Sequence, residues 1–260
     1  MGGRGSLSSG AHTMYDTASI KKVMNSHGIR VHGLNNVTRK GLSVVVEALE
    51  GVLEMNKAHN SKLVTNIVIG VNRNADFAYN PNFKVVQKGK EIRLGPTLII
   101  PKKTVQYGKA DLERELKYAT KNKIVVGRTI KELVYHEMGH ALHMKLKQHD
   151  PKAYAELDRK INLLTSNAGY RTNLSVYAGS KRYGGKVRSY EYVAEAIVHI
   201  QRNTKTRLGQ DMIDLVHDYI SRVPGVEFSR YGVKTPKTTR RAKKNKLVKQ
   251  PKRIKRKPKR

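Results

Sequence analysis

Residues 134–143 read VYHEMGHALH, and this run constrains the fold more than any other part of the chain. Ile130, Val134, Met138, Leu142 and Leu146 recur every four residues through it, which predicts a helix that buries one side. On the other side, His136 and His140 lie one turn apart, because four residues advance a helix by about 400°. Two imidazoles stacked in this way can grip one Zn²⁺, and Glu137, about 100° round the helix, flanks the metal closely enough to hold its bound water. The fold must therefore cover this helix on one side and leave the other facing a cleft. The chain has no cysteine. Disulfide frameworks, thiolate nucleophiles and Cys-based zinc sites are thus excluded, and any metal must be held by His and carboxylates.

The pentapeptide does not decide the matter alone. With 10 His and 12 Glu in 260 residues, HExxH arises by chance in roughly one such sequence in fifty. The plain alternative is two surface histidines and a solvated glutamate on a histidine-rich helix that also carries His143 and His149. A tetrahedral catalytic site needs a third protein ligand and leaves its fourth position to water. The longer HExxHxxGxxH pattern is absent, since His143 and Leu146 stand where a glycine and a histidine would be. His143 itself lies about 10 Å along the axis from His136, too far for three ligands from one straight helix. A better candidate is in SYEYVAEAIVHI, residues 189–200. This predicted helix is largely apolar, yet Glu191 and Glu195 sit four apart on one stripe, which is costly unless something cationic receives them. Glu191 is assigned as third metal ligand and Glu195 as acceptor for the free N–H of a ligand histidine. The competing explanation is that Glu191 favours the helix N-terminal dipole behind a Ser189 cap while Glu195 pairs an Arg or Lys.

Organisation along the chain is uneven. A long amphipathic helix is predicted over 37–60, with Gly51 weakening it slightly. A β-branched strand follows at 63–71, then strands at 83–86 and 92–94 flanking a Lys88-Gly89 hairpin, and another at 97–100 stopped by Pro101. Helical pattern then persists over 109–121, 128–149, 151–166, 189–203 and 208–222. Helix, small sheet, then helices is an α+β order rather than alternating β/α units. Residues 1–20 open on the Gly/Ser-rich run MGGRGSLSSG and read as a flexible arm, 21–225 as the folded domain, and 234–260 as a disordered basic tail. That tail holds 15 Lys/Arg and no acid, leaving 37 basic against 20 acidic residues elsewhere, a net of +17 within the whole chain's +32. Arg240, Arg241, Lys243, Lys244, Lys252, Arg253, Lys255 and Arg256 are its candidate nucleic-acid contacts, able to neutralise phosphates without reading sequence. The other reading of the tail is an electrostatic arm for acidic protein or membrane surfaces. No stretch is long and apolar enough for a membrane span, and the N-terminus lacks the apolar block of a signal peptide.

VYHEMGHALH, then a Tyr-Gly some fifty residues on, then EYVAEAIV, resembles the gluzincin-type metallopeptidases, specifically the anthrax lethal factor catalytic domain family and its phage and mobile-element relatives. The resemblance covers about 130–200. It implies a zincin-like α+β fold, in which a small mixed sheet packs on an N-terminal helix and the HExxH helix before a helical C-terminal part. It also implies His136, His140 and Glu191 as zinc ligands, Glu137 as general base, Glu195 as the second carboxylate, and Tyr183 as the tyrosine that supports the transition state. The Tyr183–Glu191 interval is one residue longer than the family's, so Tyr177 is an equal candidate for that tyrosine. Tyr192 and Ile197 replace the usual phenylalanines. The segment ADFAYNPN with GKEIRL is similar to the sheet such proteins place above the cleft, and an edge strand within 83–100 would hold an extended peptide substrate by strand addition. The implied reaction is peptide hydrolysis by zinc-activated water. The opening residues are similar to those of phage head-region proteins, which implies the virion or host cytoplasm as location and other phage head components as partners. The rival expectation is a structural or injected phage protein that uses a peptidase-like domain as a scaffold and binds nucleic acid through its tail.

Overall fold

A computed structural model of the protein describes residues 16–59, 62–71, 77–87, 89–167, 170–171, 173–179, 188–206 and 209–228. The MGGRGSLSSG run, Tyr183 and the basic tail with its eight candidate contacts lie outside the described residues. The architecture is α+β, as the pattern predicts. Helix α1 (Thr17–Ser26), strand β1 (Arg30–His32) and helix α2 (Arg39–Ala58) lead into β2 (Asn66–Val71), β3 (Ala78–Gln87) and β4 (Lys90–Pro101). Helices α3 (Lys102–Gln106), α4 (Lys109–Lys121), α5 (Ile130–His149), α6 (Pro151–Ser166), α7 (Val176–Gly179), α8 (Ser189–Gln201) and α9 (Gln210–Ile220) follow. The four strands form one mixed sheet in the order β1-β2-β4-β3, parallel except for the antiparallel β3–β4 hairpin.

Several departures from the sequence pattern have local causes. Helix α1 begins inside the expected arm, because the Asp16 side chain accepts the Ser19 N–H at 2.7 Å and Ile20 and Met24 are buried. At the other end Val226 is buried and Phe228 packs on the core, so the packed chain runs past 225. The pieces expected at 92–94 and 97–100 form one strand. Gly95, at φ 82°, and Pro96 interrupt the pattern, and the register shifts around Phe83, which faces Gly95, absorb the irregularity. Since β4 lies between β2 and β3, only residues 83–87 among the described part of the 83–100 segment belong to an edge strand, β3.

What positions the site is the packing of α5 between α2 and α8. Thr129 caps α5 by accepting the Glu132 N–H, and Glu132 reaches back to the Arg128 N–H. Ile130, Val134, Met138, Leu142 and Leu146 are all fully buried, as their four-residue spacing predicts. Gly51 does more than weaken α2: a Cβ there would stand 3.2 Å from the Val134 side chain, so its absence lets α2 approach α5. Gly139 plays the same part towards α8. An added Cβ would lie 2.7 Å from the Ala194 Cα, a backbone atom that cannot swing aside. Gly139→Ala is therefore expected to push α5 and α8 apart and cost about 1–3 kcal/mol. Denaturant unfolding should show the lowered midpoint, while Gly108→Ala, whose Cβ meets nothing closer than 3.6 Å, leaves it within about 1 kcal/mol.

Candidate metal centre

The α5–α8 contact brings together residues more than fifty positions apart. His136, Glu137 and His140 each bring a possible ligand atom within 4.8 Å of the other two. The imidazole centroids of His136 and His140 are 4.9 Å apart, with planes at 89°. Glu191 comes in from the first turn of α8. Its Oε2 lies 3.2 Å from His136 Nε2 and 3.6 Å from His140 Nε2. These separations are close to the edges of a tetrahedron: bonds of about 2.0–2.2 Å at the tetrahedral angle put neighbouring ligand atoms about 3.3–3.6 Å apart. Despite this closeness, Glu191 Oε2 is buried and makes no hydrogen bond among the described residues. A carboxylate oxygen out of water and without a donor is costly, and a cation between it and the two rings removes that cost. The donor set thus fits a small divalent metal.

The two oxygens of Glu191 have different duties. While Oε2 faces the imidazoles, Oε1 accepts the Tyr177 hydroxyl at 3.1 Å and lies 3.7 Å from the Arg188 guanidinium. Ser189 is the first residue of α8 rather than its cap, and Arg188 in the cap position makes no side-chain capping bond. Glu137, the other carboxylate, has its Oε2 on the Tyr79 N–H of β3 at 2.8 Å, so the outer strand of the sheet meets the centre there. Glu195 is fully buried one turn along from Glu191. Its nearest imidazole atom, His136 Nδ1, is 3.9 Å away, beyond hydrogen-bond range. Its oxygens instead accept the Val126 N–H at 2.9 Å and the Ser175 hydroxyl at 3.2 Å. The expected hydrogen bond from a histidine to Glu195 is not formed, and the carboxylate stands beside His136 only as a neighbouring charge. Of the two candidate tyrosines, Tyr177 is at the centre, its ring 6.2 Å from that of His136. Tyr190 was no candidate in the sequence, yet its ring is 5.6 Å from His140 on the other flank. Its position directly before Glu191 was the available signal.

His143 turns away from the centre. It is buried against α6, with Nε2 3.3 Å from Asp158 Oδ1 and its ring beside Tyr154. His199 bonds Thr204 through Nδ1 at 3.0 Å, and burial holds its pKa down to about 4.

Charge at the centre follows from the crowding of carboxylates. Burial works against a charge on His136, but Glu191, Glu195 and Glu137 outweigh it and raise its pKa to about 9. Burial, joined by the positive charge on His136, pushes His140 down to about 3. Burial would raise Glu191, yet His136, His140 and the Tyr177 hydroxyl hold its carboxyl below the ordinary range. Burial pushes Glu195 up. Burial and the charge of Glu191 push the Tyr177 phenol up. A proton on His136 thus partly fills the role of a cation among the carboxylates.

Comparison with known proteins returns no match: no protein-family model, no curated protein and no solved structure matches the chain.

Because His136 carries a proton near neutral pH and a ligand imidazole cannot, binding of Zn²⁺ at about pH 7.5 is expected to expel about one proton per ion. Calorimetry in buffers of different ionisation enthalpy should show this, with the release fading above about pH 9. In the metal-free protein the same raised pKa stabilises the fold below pH about 6.5, and that contribution is lost as pH rises through about 9.

Proposed function

We propose that the protein is a zinc-dependent metallopeptidase of gluzincin type, with His136, His140 and Glu191 as ligands and Glu137 as general base. The observation that carries this reading is the buried Oε2 of Glu191, without a hydrogen bond among the described residues and set 3.2 and 3.6 Å from the two ring nitrogens. It also separates the two carboxylates. Glu137 Oε2 is engaged by a main-chain N–H, while Glu191 Oε2 faces only the two imidazoles, so Glu191 suits coordination and Glu137 suits proton transfer. Zinc held there would supply Lewis-acid polarisation of the scissile carbonyl and lower the pKa of an attacking water. Glu137 takes a proton from that water through its carboxylate and delivers it to the leaving amine nitrogen. The Tyr177 hydroxyl holds the outer oxygen of Glu191, keeping the ligand oriented, and Tyr183 remains the alternative hydroxyl for the transition state. Strand β3 borders the site and offers the edge along which an extended peptide would lie.

Glu137→Gln should leave zinc bound and lower peptide cleavage by at least about a hundredfold, whereas His140→Ala should lose the metal itself. Metal analysis together with turnover of a peptide library reads both outcomes. Near-stoichiometric zinc with undiminished cleavage by Glu137→Gln would remove the mechanism. No zinc in the wild-type protein would leave a scaffold without peptidase chemistry.

A second role rests on the 15 basic and no acidic residues of 234–260. This segment delivers the domain to nucleic acid by neutralising phosphates, with affinity falling steeply as salt rises. A chain ending at Val233 should bind a mixed-sequence duplex at least about tenfold more weakly than the full chain at low salt, with a shallower salt slope. Equal affinities in a salt titration would clear the tail of that role.

A further inference from the structure

Ser175 is fully buried and enters none of the steps above. It opens α7, a helix of four residues, too short to persist without anchors. The Ser175 Oγ accepts the Ala178 N–H at 3.0 Å, capping that turn, and donates to Glu195 Oε1 at 3.2 Å. The N–H groups of Val176 and Tyr177 donate to the carbonyls of Lys123 and Ile124 at 2.7 and 3.0 Å. From the same turn, the Tyr177 hydroxyl donates to Glu191 Oε1 at 3.1 Å. Glu191 and Glu195 are one turn apart on α8, so α7 is strapped across two successive carboxylates. Ser175 holds one and Tyr177 the other.

We infer that Ser175 is a positioning residue for the candidate metal ligand: by fastening α7 to Glu195 it keeps the Tyr177 hydroxyl on Glu191, and so keeps Glu191 Oε2 turned towards His136 and His140. This rests on the proposed metal site and assigns it a support two contacts away from the metal. The buried Glu195 thereby gains a use independent of any bond to a ligand histidine. It is the fixed post to which the strap is tied, held from its other side by the Val126 N–H at 2.9 Å.

Ser175→Ala, Tyr177→Phe and the double variant would be compared in two measurements. Zinc dissociation constants come from competition with a chromogenic chelator, and amide hydrogen exchange of residues 173–179 is followed in metal-free protein. Each single substitution should weaken zinc by about tenfold. The double variant should be no weaker than Tyr177→Phe within about twofold, because Ser175 acts through Tyr177. In the metal-free protein, Ser175→Ala should speed exchange at 176–178 while Tyr177→Phe does not. Losses that multiply in the double variant would overturn the route through Tyr177. So would a lowered melting temperature in Ser175→Ala with unchanged zinc affinity, which would mark a purely structural serine. Unchanged exchange in Ser175→Ala would overturn the strap. Wild-type protein that binds no zinc would overturn the proposed function and, with it, this role; faster exchange in Ser175→Ala would then place the failure in the metal reading rather than in the anchoring of α7.

Discussion

The approach of α8 to α5 at Gly139 and Ala194 is the contact on which the rest depends. A helix pair held at ordinary separation would leave Glu191 short of the imidazoles, because its side chain starts from the first turn of α8 and must reach across to the middle of α5. The contact is dry and apolar around its middle, where Met138, Val193, Ala194 and Ile197 are fully buried. It is fixed at one end by an ion pair between Arg202, just past α8, and Glu132 in the first turn of α5, at 3.0 Å. Hydrophobic packing supplies the free energy and the glycine supplies the distance. The carboxylates are carried into the interior by that packing, at a cost their own contacts only partly offset.

Three carboxylates and two imidazoles make the centre electrostatically lopsided, and each carboxylate is supported differently. Glu137 is held by the main chain of the sheet, Glu195 by a serine and a loop N–H, and Glu191 by a phenol and a guanidinium on one oxygen and the imidazoles on the other. Among the described residues, only the last has a buried oxygen with no hydrogen bond, faced by imidazole nitrogens alone. The asymmetry is what the proposed division of parts among the acids rests on.

Much of this was legible in the sequence, and the remainder was hidden for identifiable reasons. Helices α4 and α6 fall on 109–121 and 151–166 as read from their periodicity, because each has clear apolar spacing and a sharp stop. Helix α1 was hidden because its ten residues span fewer than three turns and follow closely on the Gly/Ser-rich opening, and β1 because three residues are too short to show alternation. The His136, His140 and Glu191 constellation was readable since helical spacing aligns the histidines and two acids on an apolar helix demand an explanation. The partners of Glu195 were not, because Val126 and Ser175 lie in segments without period. The Tyr79 N–H on Glu137 was equally hidden, since main-chain donors leave no mark on residue identity.

The spacing of the donors is set by helix packing rather than by whatever occupies the space between them, so the proposed metal centre would act as a gauge of ionic radius. A cation with bonds of about 2.0–2.2 Å fits separations of 3.2 and 3.6 Å. One that prefers about 2.3–2.6 Å and six to eight oxygens would find too few donors, too close together, two of them nitrogen. Widening the gap would mean parting two helices whose backbones already touch through a residue with no side chain to compress. Discrimination between ions, were this centre to bind one, would originate in the hydrocarbon interior, beneath the atoms that would do the binding.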